Sequence, residues 1–153
     1  MTNKQRKAQL ILWRHAHAEE GDIDEQRALT SRGRKQAVRI SKWLQERLPD
    51  RYHLIASPLV RAQQTAQALE RKFRTIPELS VEGKPRKILQ AISWPECGGT
   101  TVLVGHQPSL GCLAAFLLVG RELPWEIRKG AAWWLQREDN IVTLKAVIDP
   151  ALV

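Results

Sequence analysis

This 153-residue chain predicts an α/β fold, a three-layer αβα arrangement with a mostly parallel central sheet. Three observations carry that expectation. Short apolar runs at 9–13, 54–56 and 101–104 have strand length, and each is followed by a segment with helical spacing. Strands that alternate with helices pair in parallel, and the helices then cover both faces of the sheet. A final pair of strand-like runs, 130–136 and 140–148, meets at Glu138-Asp139-Asn140, as a closing hairpin would.

Each element has a local reason. The polar stretch Met1–Ala8 reads as a disordered leader, and Gln9-Leu10-Ile11-Leu12-Trp13 as a short buried strand. Residues 16–28 are acidic and irregular, a loop long enough to cover a site. Thr30 or Ser31 can cap a helix running to about Leu48, with Ala37, Ile40, Leu44 and Leu48 on one face, ended by Pro49-Asp50. Strand 54–56 feeds helix 58–72, where Ser57 suits the N-cap and Pro58 the first helical position. Residues 75–81 look extended, and 84–93 helical until Trp94-Pro95. Strand 101–104 turns at Gly105, which would let backbone approach a ligand closely, into helix 109–119, stopped by Gly120. Neither repeat nor linker breaks the chain, so residues 1–153 read as one domain.

Composition narrows the function classes. No apolar run is long enough to span a bilayer, and the leader lacks a signal-peptide hydrophobic region, so no membrane partner is expected. Cys97 and Cys112 lack Cys-x-x-Cys spacing; Cys112 reads as a buried thiol and Cys97 as a loop residue, consistent with a reducing, cytoplasmic setting. A net charge of +8 raises nucleic-acid binding. The basic residues are scattered, however, and neither a Walker-type loop, zinc spacing nor an aromatic RNA-recognition submotif occurs. Packing accounts for Trp43, Trp133 and Trp134. The basic surface suits an acidic, phosphorylated protein equally well.

The chemistry concentrates where strands end. Arg14-His15 follows the first strand, Arg61 lies in the first turn of the helix after the second, and His106 follows the third. Open α/β sheets bind ligands at the carboxyl ends of their strands. A guanidinium beside an imidazole suits a phosphoryl group, one holding oxygens and the other able to attack phosphorus. A cation is disfavoured at a helix N-terminus by the backbone dipole, so Arg61 there suggests an anion to hold. Any one of these residues alone is more simply a solvated polar side chain. His17 is expected to point opposite to His15, and His53, at a strand entrance, to be structural.

Arg14-His15-Ala16 resembles the Arg-His-Gly signature of the histidine phosphatase superfamily, with the phosphoglycerate mutase-like fold. The stretch 57–66 (Ser-Pro-Leu-Val-Arg-Ala-Gln-Gln-Thr-Ala) is similar to that superfamily's second-arginine block, and Gly105-His106 to its second-histidine block. The resemblance runs over roughly residues 9 to 120 in the same chain order, with Ala16 in place of the usual glycine as a departure. In detail the chain is most similar to the short SixA-type phosphohistidine phosphatases. Residues 24–30 resemble their loop, in which an Asp and an Arg three residues later, here Asp24 and Arg27, line the pocket.

The resemblance implies phosphoryl transfer to His15 and hydrolysis of the resulting phosphohistidine. Arg14, Arg61 and His106 would hold the equatorial oxygens, with Arg27 as a further donor, and neither metal nor other cofactor is expected. The attacking nitrogen must be neutral, which the guanidinium charges favour. Gln107 stands where the acid-phosphatase branch keeps an acidic residue, and is expected to line the substrate site without supplying a proton. Asp24, Glu19 or Glu20 could donate one, Asp24 being preferred on the loop resemblance. Imidazole leaves more readily than alkoxide, so the expected partner is a His-phosphorylated protein in a signalling relay or a phosphotransferase chain. A small-molecule phosphomonoesterase, or a non-catalytic phosphate- or nucleic-acid-binding module, is the alternative.

Overall fold

The computed structural model describes residues 7–153. Residues 1–6 of the expected leader lie outside the described residues. Ala8 does not belong to the leader, because it opens the first strand and is fully buried.

Six strands form one sheet in the order β3-β2-β4-β1-β5-β6. Strands β1 (Ala8–Arg14), β2 (His53–Ala56), β3 (Arg74–Thr75) and β4 (Gly99–Gly105) run parallel. The hairpin of β5 (Ala132–Glu138) and β6 (Ile141–Ile148) adds two antiparallel strands beside β1. Its turn places Asp139 and Asn140 at positive φ, as a two-residue hairpin loop requires. Of the parallel strands, β1, β2 and β4 are largely buried on both faces, which is why they read as apolar runs, whereas the two residues of β3 are exposed. Leu10, Leu12, Ile55 and Leu103 face helices α3 (Pro85–Ile92) and α4 (Ser109–Val119). Ile11, Trp13, Leu54, Val102 and Val104 face α1 (Ser31–Gln45) and α2 (Val60–Gln67). The three-layer αβα arrangement is therefore present, with two cores.

Several boundaries differ from the sequence expectation. Helix α1 ends at Gln45, leaving half-buried Leu48 in a turn whose N–H still reaches the Leu44 carbonyl. Helix α2 spans 60–67 rather than 58–72: Leu59, not Ser57, is its N-cap, and Glu70 adopts a positive φ shortly after its end. Only Arg74–Thr75 of the next stretch pairs with β2, and Pro77–Leu79 then forms a 3-10 turn that buries Leu79. Cys112 is half-buried rather than buried, whereas Cys97 is exposed; both thiols are free. Among the described residues no helix is long and apolar enough to cross a membrane.

Register decides where the chemistry emerges. Arg14 pairs with Gly105 and Ala56 with Val104, so β1, β4 and β2 finish together at one edge of the sheet. Backbone bonds continue one residue beyond: His15 N–H to the Gly105 carbonyl and Ser57 N–H to the Val104 carbonyl, both 2.9 Å. Three strand ends thus hold His15, His106 and the start of the Ser57–Arg61 segment side by side.

Candidate active site

At that edge lies an open cavity of about 370 Å³ whose walls include Arg14, His15, Asp24, Arg27, Arg61, His106 and Gln107, the seven residues expected to hold the phosphoryl group or line its site; Glu19 and Glu20, the other candidate proton donors, are not in its lining. Ala18, Val81 and Lys129 complete it.

His15 is buried, and its ring Nδ1 lies 2.8 Å from the Ala16 carbonyl. A carbonyl oxygen only accepts, so Nδ1 carries the proton and Nε2 keeps its lone pair. Burial, opposed by the Ala16 bond and reinforced by the charges of Arg61, Arg14 and Lys129, lowers the pKa from 6.5 to about 4. The ring is therefore a neutral imidazole at pH 7 with one nucleophilic nitrogen.

The His106 ring centroid is 5.1 Å from that of His15. Burial first, then His15 and Arg61, lower its pKa to about 3, with Asp24 opposing and Arg14 adding a little. Its Nε2 lies 2.8 Å from Ser57 Oγ, which also accepts the Leu59 N–H at 3.2 Å. The arrangement that satisfies the Ser57 hydroxyl fully has its O–H donating to His106 Nε2 while its oxygen accepts the Leu59 N–H. The proton of His106 then sits on Nδ1. The N-cap of α2 is Leu59, and the Ser57 hydroxyl instead accepts the Leu59 N–H just ahead of the helix.

Arg61 comes from the first turn of α2 and is only 3% exposed. Its Nη1 donates to the Asp24 carbonyl at 2.7 Å and its Nη2 to the Asp24 carboxylate at 3.1 Å. Asp24 stands on a 3-10 turn (Asp24–Gln26) of the irregular loop, and its other oxygen accepts from Arg27 Nε at 3.0 Å. Partial burial raises the Asp24 pKa, but the hydrogen bond and charge of Arg61, with Arg27, outweigh it and leave the carboxyl below its ordinary value. Asp24 is thus held as a carboxylate and is poorly suited to donate a proton. Arg14 Nη1 donates to the Ile127 carbonyl at 2.8 Å; burial lowers its pKa, with Glu126 opposing. Arginine remains charged at any working pH.

Three buried nitrogens around the cavity have no hydrogen-bond partner among the described residues: Arg14 Nε, Arg61 Nε and His106 Nδ1. A buried donor left unpaired costs about 1–3 kcal/mol, so three at one cavity mark a place for an oxyanion.

Gln107 and His17 lie where the sequence placed them, whereas Gly105, His53, Glu19 and Glu20 do not play the parts expected of them. Gln107 lines the cavity, yet its amide is spent on the backbone: Nε2 donates to the Trp125 carbonyl (2.8 Å) and Oε1 accepts the Gly111 N–H (2.9 Å). Gly105 has an ordinary negative-φ backbone, and a Cβ there would meet the Leu110 side chain at 3.4 Å, so its smallness serves packing against α4. His17 faces away from the cavity, with Nδ1 2.8 Å from Thr30 Oγ, whereas His53 is exposed. Glu19 contributes its backbone carbonyl to Arg27 Nη1, and Glu20 is exposed outside the cavity lining. Lys129 went unnoticed in the sequence. It is carried by the 121–131 segment, which folds over the site because the Ala131 carbonyl accepts the Arg14 N–H and the Gly130 N–H donates to the His15 carbonyl.

Comparison with known proteins fits this geometry. The family model of the histidine phosphatase superfamily (branch 1) matches residues 10–86, half of the chain. This chain belongs to the histidine phosphatase superfamily and is a phosphatase that works through a catalytic histidine. No curated protein matches it. Among solved structures it is similar to the protein histidine phosphatase SixA complexed with tungstate, at 24% identity and TM-score 0.82, covering 94% of this chain and 98% of that one. A protein from Nakamurella multipartitia, provisionally assigned as SixA, matches at 23% identity and TM-score 0.81 over 97% and 99%. A phosphoserine phosphatase from Entamoeba histolytica in complex with phosphoserine matches at 16% and 0.70 over 92% and 96%. These likenesses carry the phosphoglycerate mutase-like fold.

Proposed function

We propose that this phosphatase removes the phosphoryl group from phosphohistidine side chains of cytoplasmic proteins, without a metal ion, through a covalent intermediate on His15. The observation that carries the reading is the neutral His15 imidazole, with Nε2 unprotonated, set among Arg14, Arg61 and Lys129 and beside three unpartnered nitrogens. Nε2 attacks phosphorus as the bond to the substrate's ring nitrogen breaks. Arg14, Arg61 and His106 Nδ1–H meet the charge on the equatorial oxygens, with Arg27 as a further donor. Such transfer rests mainly on positioning and charge stabilisation. Water then adds to phosphorus, His15 Nε2 regains its lone pair, and the protons of the water leave on inorganic phosphate.

The substrate class follows from the leaving group. An alkoxide needs a proton donor at the site. Here Asp24 is held as a carboxylate and the Gln107 amide is tied to the backbone. A phosphohistidine ring protonated at its second nitrogen departs as neutral imidazole and needs no such donor. The test is to incubate the purified protein with a phosphohistidine protein and with simple alkyl phosphomonoesters in parallel. Faster turnover of phosphohistidine is expected; equal or faster hydrolysis of the alkyl esters gives first place to a small-molecule phosphomonoesterase.

A further inference from the structure

Beside the catalytic cavity, and sharing Arg14 and Lys129 with it as a common wall, runs a second open depression of about 840 Å³. It is more than twice as large as the cavity itself, far beyond what a phosphoryl group needs. One side is helix α1, where Arg32, Lys35 and Arg39 recur at spacings of three and four and so share one exposed face. The opposite side is the 121–131 segment with Lys129 and the chain's last turn, Pro150–Leu152. Among the described residues Arg32, Lys35, Arg39 and Lys129 form no ion pair. The two carboxylates in the wall are already engaged: Asp149 pairs with Arg128 at 3.5 Å, and Glu126 acts electrostatically on Arg14.

We infer that this groove is the docking site for an acidic segment of the protein that carries the phosphohistidine, an inference that rests on the proposed function and adds the feature by which the substrate is chosen. Unpaired cations on both sides of a channel that opens onto the catalytic cavity attract a polypeptide rich in Asp and Glu while its phosphohistidine enters beside His15. Nucleic acid fits less well. Its strands bind through stacking platforms as well as cations, and no Trp, Tyr or Phe lines the groove.

The experiment uses two chemically phosphorylated histidine peptides of equal length, one with glutamates flanking the phosphohistidine and one with glutamines there. Free phosphohistidine serves as a third substrate. For the wild type at low salt, kcat/KM should favour the acidic peptide, and the preference should fade at about 0.5 M salt. The triple variant Arg32→Glu, Lys35→Glu, Arg39→Glu should lose about tenfold in kcat/KM on the acidic peptide, through KM, because each exposed pair is worth little by itself. Its rates on the glutamine peptide and free phosphohistidine should stay unchanged, which also reports that it is folded. If the reversal variant loses activity on all three, the triple glutamine variant decides, and it should show the same selective loss to a smaller degree. Equal wild-type rates on both peptides, or an equal loss on both peptides in a variant that keeps its rate on free phosphohistidine, overturn the groove assignment while the proposed function stands. No turnover of any phosphohistidine substrate overturns the proposed function and the docking inference with it. Salt-resistant competition by a single-stranded oligonucleotide, with no effect of the glutamates, overturns the assignment in favour of nucleic acid.

Discussion

Asp24→Asn removes one negative charge from the mouth of the catalytic cavity while keeping the size of the residue. In the free enzyme Asp24 occupies Arg61, with its carboxylate 3.1 Å from Nη2 and its backbone carbonyl 2.7 Å from Nη1. The backbone contact survives the substitution. An entering oxyanion must take Arg61 from the carboxylate and then sit near a like charge. The Asp24 side chain is 56% exposed, so water screens the pair and holds its worth to at most about 1 kcal/mol. Removing that competition should tighten vanadate binding about fivefold. Vanadate inhibition of wild type and variant, at low and high salt, measures it, and the gain should shrink with salt. Because the Asp24 pKa is lowered from 3.8, the carboxylate persists at every pH above that value; its pairing is lost only as pH falls through the lower folded value. The gain should therefore be constant from pH 5 to 8. Unchanged or weaker vanadate binding refutes the argument. If vanadate binding is unchanged while phosphohistidine turnover falls on the order of a hundredfold, Asp24 is the proton donor after all.

Two further predictions follow from the same geometry. His15 and His106 have folded pKa values of about 4 and about 3 against an ordinary 6.5, so below pH 6.5 the unfolded chain binds protons that the folded one refuses. Stability should thus be full above pH 6.5 and decline as pH falls toward 4, by about 2 kcal/mol or more at pH 5. Denaturant unfolding at pH 7 and 5 with nitrogen NMR of the rings checks this, and a His15 ring titrating near 6.5 contradicts it. Gln107→Asp, which the sequence suggests would restore a proton donor, should instead set a carboxylate against the Trp125 carbonyl and cost about 1–3 kcal/mol. Thermal unfolding and alkyl phosphomonoester rates decide, and a stable variant with raised monoester turnover would reverse the reading of Gln107.

What could be read from the sequence was local, and what could not was carried by contacts between distant segments. Arg14, His15, Arg61 and His106 were legible because strand-to-loop junctions have apolar runs before them, and parallel pairing brings those junctions to one edge. Helix α4 and its Gly120 stop were legible for the same local reasons. The placement of Asp24 against Arg61 was not, since an irregular loop has no periodicity to say which residue will face inward. Lys129 had no signal at all: its segment is held by backbone bonds to Arg14 and His15, and any residue can supply those. The contact of Ser57 with His106, 49 positions away, was not legible either, since Ser-Pro carries only a local cap signal and α2 begins at Val60, with Leu59 as its cap. The backbone bonds of the Gln107 amide had no sequence signal, since its partner carbonyl on Trp125 lies 18 residues on.

The central claim is that His15 Nε2 takes the phosphoryl group. Mixing the enzyme with a labelled phosphohistidine protein and quenching rapidly at alkaline pH, where phosphohistidine survives, tests it directly by mapping the label. An acid-labile phosphate on Nε2 of His15 is expected, with both label and turnover lost in His15→Ala. A label on His106, or near-normal turnover by His15→Ala, would contradict it.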